Sequence, residues 1–293
     1  MTPYIRLLRP KQWTKNLLVF AALLFSGTVT EIARDIRVVL AFVAMCLVSS
    51  ATYIFNDIAD QKRDQEHPVK KNRPIASGAI SVQKGIALAI ACLSIGMGIG
   101  WYLGAWATAI LAGYVFLQVL YNIWLKYIAV ADVFAIATGF ILRAVLGAES
   151  IKVPISGWLL LCTAALALML GFAKRRSEYI SQGNERVKSR ESLSQYSRLA
   201  LDIYVAMFSG VAAMCYGIYT LQSETASRFP GLIITFPFVL YGICRYLLLV
   251  FAKDEGAQPE DILLKDPNII ISVVGFVIAA LLAIRGATVP MIN

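Results

Sequence analysis

The densest run of charge in the chain lies at residues 53–78, Tyr-Ile-Phe-Asn-Asp-Ile-Ala-Asp-Gln-Lys-Arg-Asp-Gln-Glu-His-Pro-Val-Lys-Lys-Asn-Arg-Pro-Ile-Ala-Ser-Gly. On a helix turning ~100° per residue, with Asn56 at the origin, Asp60 falls near ~40°, Asp64 near ~80° and Asp57 near ~100°. Three carboxylates and an amide then share one face and repel one another unless a cation joins them. Asn56, Asp57, Asp60 and Asp64 are therefore candidate ligands for Mg²⁺, and the three aspartates candidate catalytic groups. Mg²⁺ typically takes one or two carboxylates and completes its shell with waters and substrate phosphate. Lys70 and Arg73 follow directly and supply phosphate-binding charge. His67-Pro68 should end the helix and let that loop fold back over the acidic face. A solvated helix end is the plainer alternative, but this cluster closes an apolar run, where such charge is costly.

The elements that must position these residues cross a membrane. The chain is 58% hydrophobic and 15% charged, against about 25% charged in soluble domains. Nine apolar spans are predicted, at 15–30, 37–56, 84–103, 105–122, 130–148, 157–174, 200–220, 230–251 and 267–286. The fold class is thus an all-α polytopic membrane protein. The N-terminus and the loops after spans 2, 4, 6 and 8 carry most of the 27 Lys and Arg residues. That bias predicts a cytoplasmic N-terminus, with both long loops (57–83 and 174–199) on the same side. Those loops occupy matching positions if the chain holds two four-helix halves and one extra helix, which suggests an internal duplication. The five cysteines form no C-x-x-C pair and there is one histidine, which argues against zinc and against Cys/His catalysis. The net charge of +9 is read as a topology signal rather than a nucleic-acid surface.

Five further places along the chain carry polar chemistry. After span 6, Lys174, Arg175 and Arg176 precede Glu178; they read either as a membrane anchor or as an anion site, Arg as a fork and Lys as a point charge. Tyr121 and Lys126 flank a short turn, with Asp132 a candidate partner for Lys126. Arg143 lies within a span, where arginine is costly and is by default functional or paired; a phosphate contact and a structural bond are both open. Lys15 and Asn16 open the first span and could reach the polar face. Arg245 sits near a span end and can snorkel.

The Asn56-Asp57-x-x-Asp60-x-x-x-Asp64 pattern resembles the first Mg²⁺-diphosphate motif of the UbiA-type intramembrane prenyltransferases. Arg9-Pro-x-Gln-Trp-x-Lys-Asn16, His67-Pro-x-Lys-x-x-Arg-Pro-Ile-Ala-Ser-Gly78, Tyr121-x-x-Trp-Leu-Lys126 and Gly139-Phe-x-Leu-Arg-Ala144 resemble its decaprenyl-phosphate phosphoribosyltransferase branch. The usual second motif of the superfamily, D-x-x-x-D after the sixth helix, is replaced here by Lys174-Arg175-x-x-Glu178. The resemblance implies a single UbiA-like domain over 1–293, with nine helices around a cytoplasm-facing polar cavity. It implies a bacterial cytoplasmic-membrane enzyme that uses Mg²⁺ to move phosphoribose from 5-phosphoribosyl-1-diphosphate to a polyprenyl phosphate, making an arabinose-donor precursor for the cell wall. On this scheme the acidic pole holds the diphosphate. Lys15, Lys70, Arg73 and Lys126 hold phosphates, Lys174 and Arg175 hold the 5-phosphate or lipid phosphate, and Arg143 is a weaker contact. Tyr114 and Tyr121 would line the lipid tail. Two rivals stand beside it: a prenyltransferase acting on another acceptor, and a non-enzymatic anionic-lipid transporter. Self-association into a homo-oligomer is left open by the residues.

Overall fold

The computed structural model describes residues 2–26, 32–66, 69–181, 191–252, 262 and 265–286. In chain order the helices are α1 (Pro3–Leu8), a 3-10 strap (Pro10–Phe20) running on into α2 (Ala21–Ser26), α3 (Ile32–Ala59), α4 (Gln61–Glu66), α5 (Val82–Leu103), α6 (Ala105–Ile123), α7 (Ala131–Ser150), α8 (Gly157–Ser181), α9 (Arg198–Gln222), α10 (Glu224–Arg228), α11 (Phe236–Ala252) and α12 (Pro267–Ile284). No strand occurs among the described residues. Eight helical segments among them are long and apolar enough to cross a membrane. The first predicted span, 15–30, coincides in part with the strap and α2, and its last residues, as well as His67 and Pro68, lie outside the described set. Pro237 lies in the first turn of α11, just after a short 3-10 turn (Pro230–Thr235) passes into that helix. Proline is tolerated in that first turn because its missing N–H has no partner there.

The chain divides into two compact units, residues 1–123 with 142–154, and residues 124–141 with 155–293. In the first, α5 turns Gly85, Ala89, Cys92, Gly96 and Gly100 inward. These small residues recur every three or four positions, the spacing that lets helices approach closely in lipid. A Cβ at Gly96 would meet Val48 Cγ2 at 2.8 Å and the Ala44 carbonyl oxygen at 3.1 Å, so α3 fills the room a side chain would need. Arg37 donates to the carbonyls of Leu103 (2.7 Å) and Ser150 (2.6 Å), satisfying the open C-terminal carbonyls of α5 and α7.

In the second unit α8 packs along α9, with Phe172 stacked on Phe208 at 5.6 Å between centroids and tilted on Tyr204 at 4.8 Å. A Cβ at Gly171 would lie 2.5 Å from Val133 Cγ1. Gly171→Ala should therefore destabilise the protein by about 1–3 kcal/mol through overpacking. Thermal unfolding in detergent would check this, with Val133→Ala expected to return part of the loss. The structure also moves one boundary: α8 continues to Ser181, so Lys174, Arg175 and Glu178 stand on a helix, not in the loop expected from the sequence. The buried ion pairs described below sustain that extension.

Candidate active site

In the first unit the last turn of α3 delivers Asp57 and α4 delivers Asp64. Backbone bonds Asp60 N–Asn56 O (2.9 Å) and Asp64 N–Asp60 O (2.8 Å) carry the helical rise across the junction. Asp57 and Asp64 are each 2% exposed, and Asn56 and Asp60 are half-buried beside them. The loop after α4 folds back onto them. Pro74, Ile75 and Ala76 are buried, and Gln65 donates to the Ala76 carbonyl at 3.2 Å. Arg73 is thereby brought between the acids, its Nη1 2.9 Å from Asp57 Oδ1 and 2.6 Å from Asp64 Oδ2. Lys70, on the same loop, is half-buried.

Arg9 also bonds Asp57 through Nη2 and lies 5.2 Å over the Tyr53 ring. It was not among the candidate site residues of the sequence analysis. The signal was in the sequence, since Arg9 heads the Arg9-Pro-x-Gln-Trp motif, but its reach depends on a left-handed backbone (φ 54°) that a lone arginine does not announce. Lys15 and Tyr121 are half-buried in this unit.

Arg143, 4% exposed, is committed inside the protein. Its Nε donates to Asn16 Oδ1 at 2.7 Å and its Nη2 to Tyr114 OH at 3.0 Å. Tyr114 has no exposed surface, so its place as a liner of the lipid tail is replaced by a place under the Arg143 guanidinium. The geometry supports the structural reading of Arg143.

Divalent-metal chemistry fits the acidic pair. A cationic nitrogen already sits between two buried carboxylate oxygens, and oxygen donors suit a hard cation that completes its shell with water and phosphate. Among the described residues no three acidic, His or Cys side chains converge on one point, so the protein would offer Asp57 and Asp64 first, with Asn56 next to Asp57 and Asp60 one turn from each.

The second unit holds another charged cluster. Asp132, fully buried in the first turn of α7, accepts Arg175 Nε at 2.8 Å, Ser192 Oγ at 3.4 Å and Tyr196 OH at 3.1 Å. Arg175 is 2% exposed and also bonds Glu178 at 2.5 Å. Arg176, equally buried, bonds Asp202 Oδ1 (2.6 Å) and the Val250 carbonyl (2.8 Å) and covers Phe251. Burial, and then the Asp132 charge, push the Tyr196 phenol well above its ordinary value. The phenol thus stays protonated and donates to Asp132. Lys174 is half-buried on α8, and Lys126 is half-buried 5.3 Å over the Tyr127 ring.

Asp132, read as a candidate partner for Lys126, is held by Arg175. The stretch read as a basic pole is met by carboxylates from three helices, because Asp132 and Asp202 are distant in sequence and invisible to a local count of charge.

Arg245 does not merely snorkel: it grips Asp266 with Nη2 at 2.8 Å and Nε at 3.2 Å. Asp266 also caps α12 by accepting from Asn268 N and Ile269 N. The Arg245 hydrogen bond leads in holding this carboxyl below the usual carboxylate range. A depressed carboxylate contributes stability that is present above its unfolded pKa, about 4, and is lost as pH falls through the folded value. Asn can still cap a helix, so Asp266→Asn isolates the ion pair. Its melting-temperature deficit against wild type at pH 7 should shrink as the pH drops below about 4. A deficit unchanged down to pH 3 would contradict the linkage.

Comparison with known proteins adds to this geometry. Residues 17–260 match the UbiA prenyltransferase family. The chain is 34% identical to the decaprenyl-phosphate phosphoribosyltransferase of Mycolicibacterium smegmatis, over 89% of this chain and 86% of the relative. It is 31% identical to that of Corynebacterium glutamicum, over 96% and 86% respectively. Its fold is similar to a UbiA homolog from Archaeoglobus fulgidus bound to GPP and Mg²⁺, with a TM-score of 0.73 at 18% identity, covering 97% of this chain and 99% of that one.

Proposed function

The chain belongs to the UbiA prenyltransferase family, and we propose that within it the protein transfers 5-phosphoribose from 5-phosphoribosyl-1-diphosphate to a polyprenyl phosphate, releasing diphosphate. The observation that carries this reading is the likeness over nearly the whole chain to relatives named for that activity. The buried pair Asp57–Asp64, with Arg73 and Arg9 on it, supports a diphosphate site.

In this reading Asp57 and Asp64, assisted by Asn56 and Asp60, hold Mg²⁺. When bound, the ion supplies charge stabilisation to the departing diphosphate. Arg9 and Arg73 turn from the carboxylates to the diphosphate oxygens, where a guanidinium makes its strongest bonds. Lys15, Lys70 and Lys126 add charge for phosphates. Lys174 carries the 5-phosphate, and Arg175 keeps the Lys174 end of α8 in place through Asp132 and Glu178. The C1–O bond to diphosphate breaks as an oxygen of the lipid phosphate bonds to C1. The acceptor is already an anion at neutral pH, so no side chain has to remove a proton. Positive charge on the ribose ring in the transition state is matched by the anionic groups around it. We place the site at the cytoplasmic face of the bacterial membrane from the distribution of Lys and Arg, and the product among precursors of arabinose donors for the cell wall.

Prenyl transfer is the second reading, favoured by one observation: Asp132, Glu178 and Asp202 give the second unit carboxylates of its own. Purified protein given Mg²⁺, labelled 5-phosphoribosyl-1-diphosphate and a polyprenyl phosphate should yield labelled lipid. No labelled lipid, with prenylation of an aromatic acceptor from a prenyl diphosphate instead, would establish the second reading.

A further inference from the structure

The strap is held to the rest of its unit by a continuous set of contacts. Trp13 Nε1 donates to Ser50 Oγ at 3.0 Å, and Ser50 Oγ donates to the Leu8 carbonyl at 2.7 Å. Asn16, 1% exposed, donates to Cys46 Sγ at 3.2 Å and Ser49 Oγ at 3.3 Å while accepting from Arg143 Nε at 2.7 Å. One turn beyond Arg143 on α7 is Gly147. A Cβ there would lie 1.9 Å from the Val19 carbonyl oxygen, so the strap backbone occupies the space of the missing side chain. At the other end of the strap, Arg9 leaves α1 in a left-handed conformation and reaches Asp57.

We propose that the Asn16–Arg143 bond and the Gly147 seat together form a pin that fixes the strap and thereby sets Arg9 on the diphosphate site. Asn16, Arg143 and Gly147 are then positioning residues that act through Arg9. The reason is geometric. Arg9 is attached to the strap through Pro10, whose ring fixes its own backbone φ near about −65°. A sliding or tilting strap therefore carries the arginine with it. Arg143 needs no contact with substrate to matter, and its intramembrane cost is met by bonds to Asn16 and Tyr114. This inference rests on the reading of Asp57 and Asp64 as a metal–diphosphate site.

The test is a double-mutant cycle on the full-length protein in detergent, with binding of Mn²⁺ plus inorganic pyrophosphate as the readout. Asn16→Ala and Arg9→Gln should each weaken binding by about tenfold, the scale of one charge-assisted hydrogen bond. The double variant should be no weaker than either single one, because both remove the same interaction. Gly147→Ala leaves Asn16 and Arg143 untouched and should reproduce the loss by pushing the strap away. It should also speed N-ethylmaleimide labelling of the buried Cys46 by about tenfold or more, as local opening does. Losses that add in the double variant would show that Asn16 does not act through Arg9 and would overturn the proposal. So would Gly147→Ala with wild-type binding and labelling. If wild type binds no Mn²⁺–pyrophosphate, the site reading and the Arg9 half of the inference both fail, while the labelling still decides whether the strap is pinned.

Discussion

Asp57→Asn should lower phosphoribosyl transfer by about 10³-fold or more, a loss of about 4 kcal/mol of transition-state stabilisation, with the protein still folded. Asparagine keeps the size of the side chain and one carbonyl acceptor, so Arg73 can stay near Asp64. What disappears is a negative charge bonded to both arginines. A metal ion would lose one of the two buried carboxylates, and the leaving diphosphate would lose the ion's stabilisation. The cost to folding should be modest for a buried charge. Arg9 and Arg73 remain 23% and 26% exposed, so water can solvate a guanidinium left without its partner. Loss of one member of a sealed pair would cost about 3–5 kcal/mol; here the low end of that range or less is expected. Initial rates at saturating lipid phosphate, with melting curves of the same preparations, separate the two effects. Transfer within a few-fold of wild type would sink the metal assignment. A collapsed melting temperature with the same rate per folded molecule would make Asp57 a folding residue only.

The acidic pole was legible because its signal is local. Asp57, Asp60 and Asp64 lie three and four residues apart, and helical geometry alone puts them on one face. The spans were legible for the same reason: apolar length is a property of contiguous sequence. Arg73 was accessible through the His67-Pro68 stop and the short return loop. Arg9 was not, because its reach depends on the strap, and the strap on a glycine well over a hundred residues away that has no side chain to advertise the contact. The second cluster misled for a related reason. In sequence Lys174, Arg175 and Arg176 have only Glu178 close by, whereas Asp132 and Asp202 join them only when α7, α8 and α9 pack. Local charge gave the sign of the segment, and tertiary packing offset it with carboxylates from outside the segment.

That pairing has a measurable consequence at Arg175, where the largest stability effect is expected. Arg175→Gln removes the Arg175 charge from Asp132, a carboxylate with no exposed surface that also accepts from Ser192 and Tyr196. The expected loss is about 3–5 kcal/mol, the cost of leaving one member of a buried pair uncompensated. Asp132→Asn should cost less, because Arg175 keeps Glu178, which is 23% exposed and can share water with it. Replacing both members by apolar residues, Asp132→Leu with Arg175→Met, should recover most of the loss, since no buried charge is then left unpaired. Transfer measured on the folded fraction of each variant assigns the role. A positioning residue that holds the Lys174 end of α8 predicts that the double variant regains most of its rate along with its stability. A direct phosphate contact predicts recovered stability with the rate still low and the Michaelis constant for 5-phosphoribosyl-1-diphosphate raised. Arg175 is 2% exposed and its charge is already balanced by two carboxylates, so a phosphate would have to displace the groups that bury it. Lys174, half-buried beside it on the same helix, presents its charge without dismantling that pair, so the first outcome is expected.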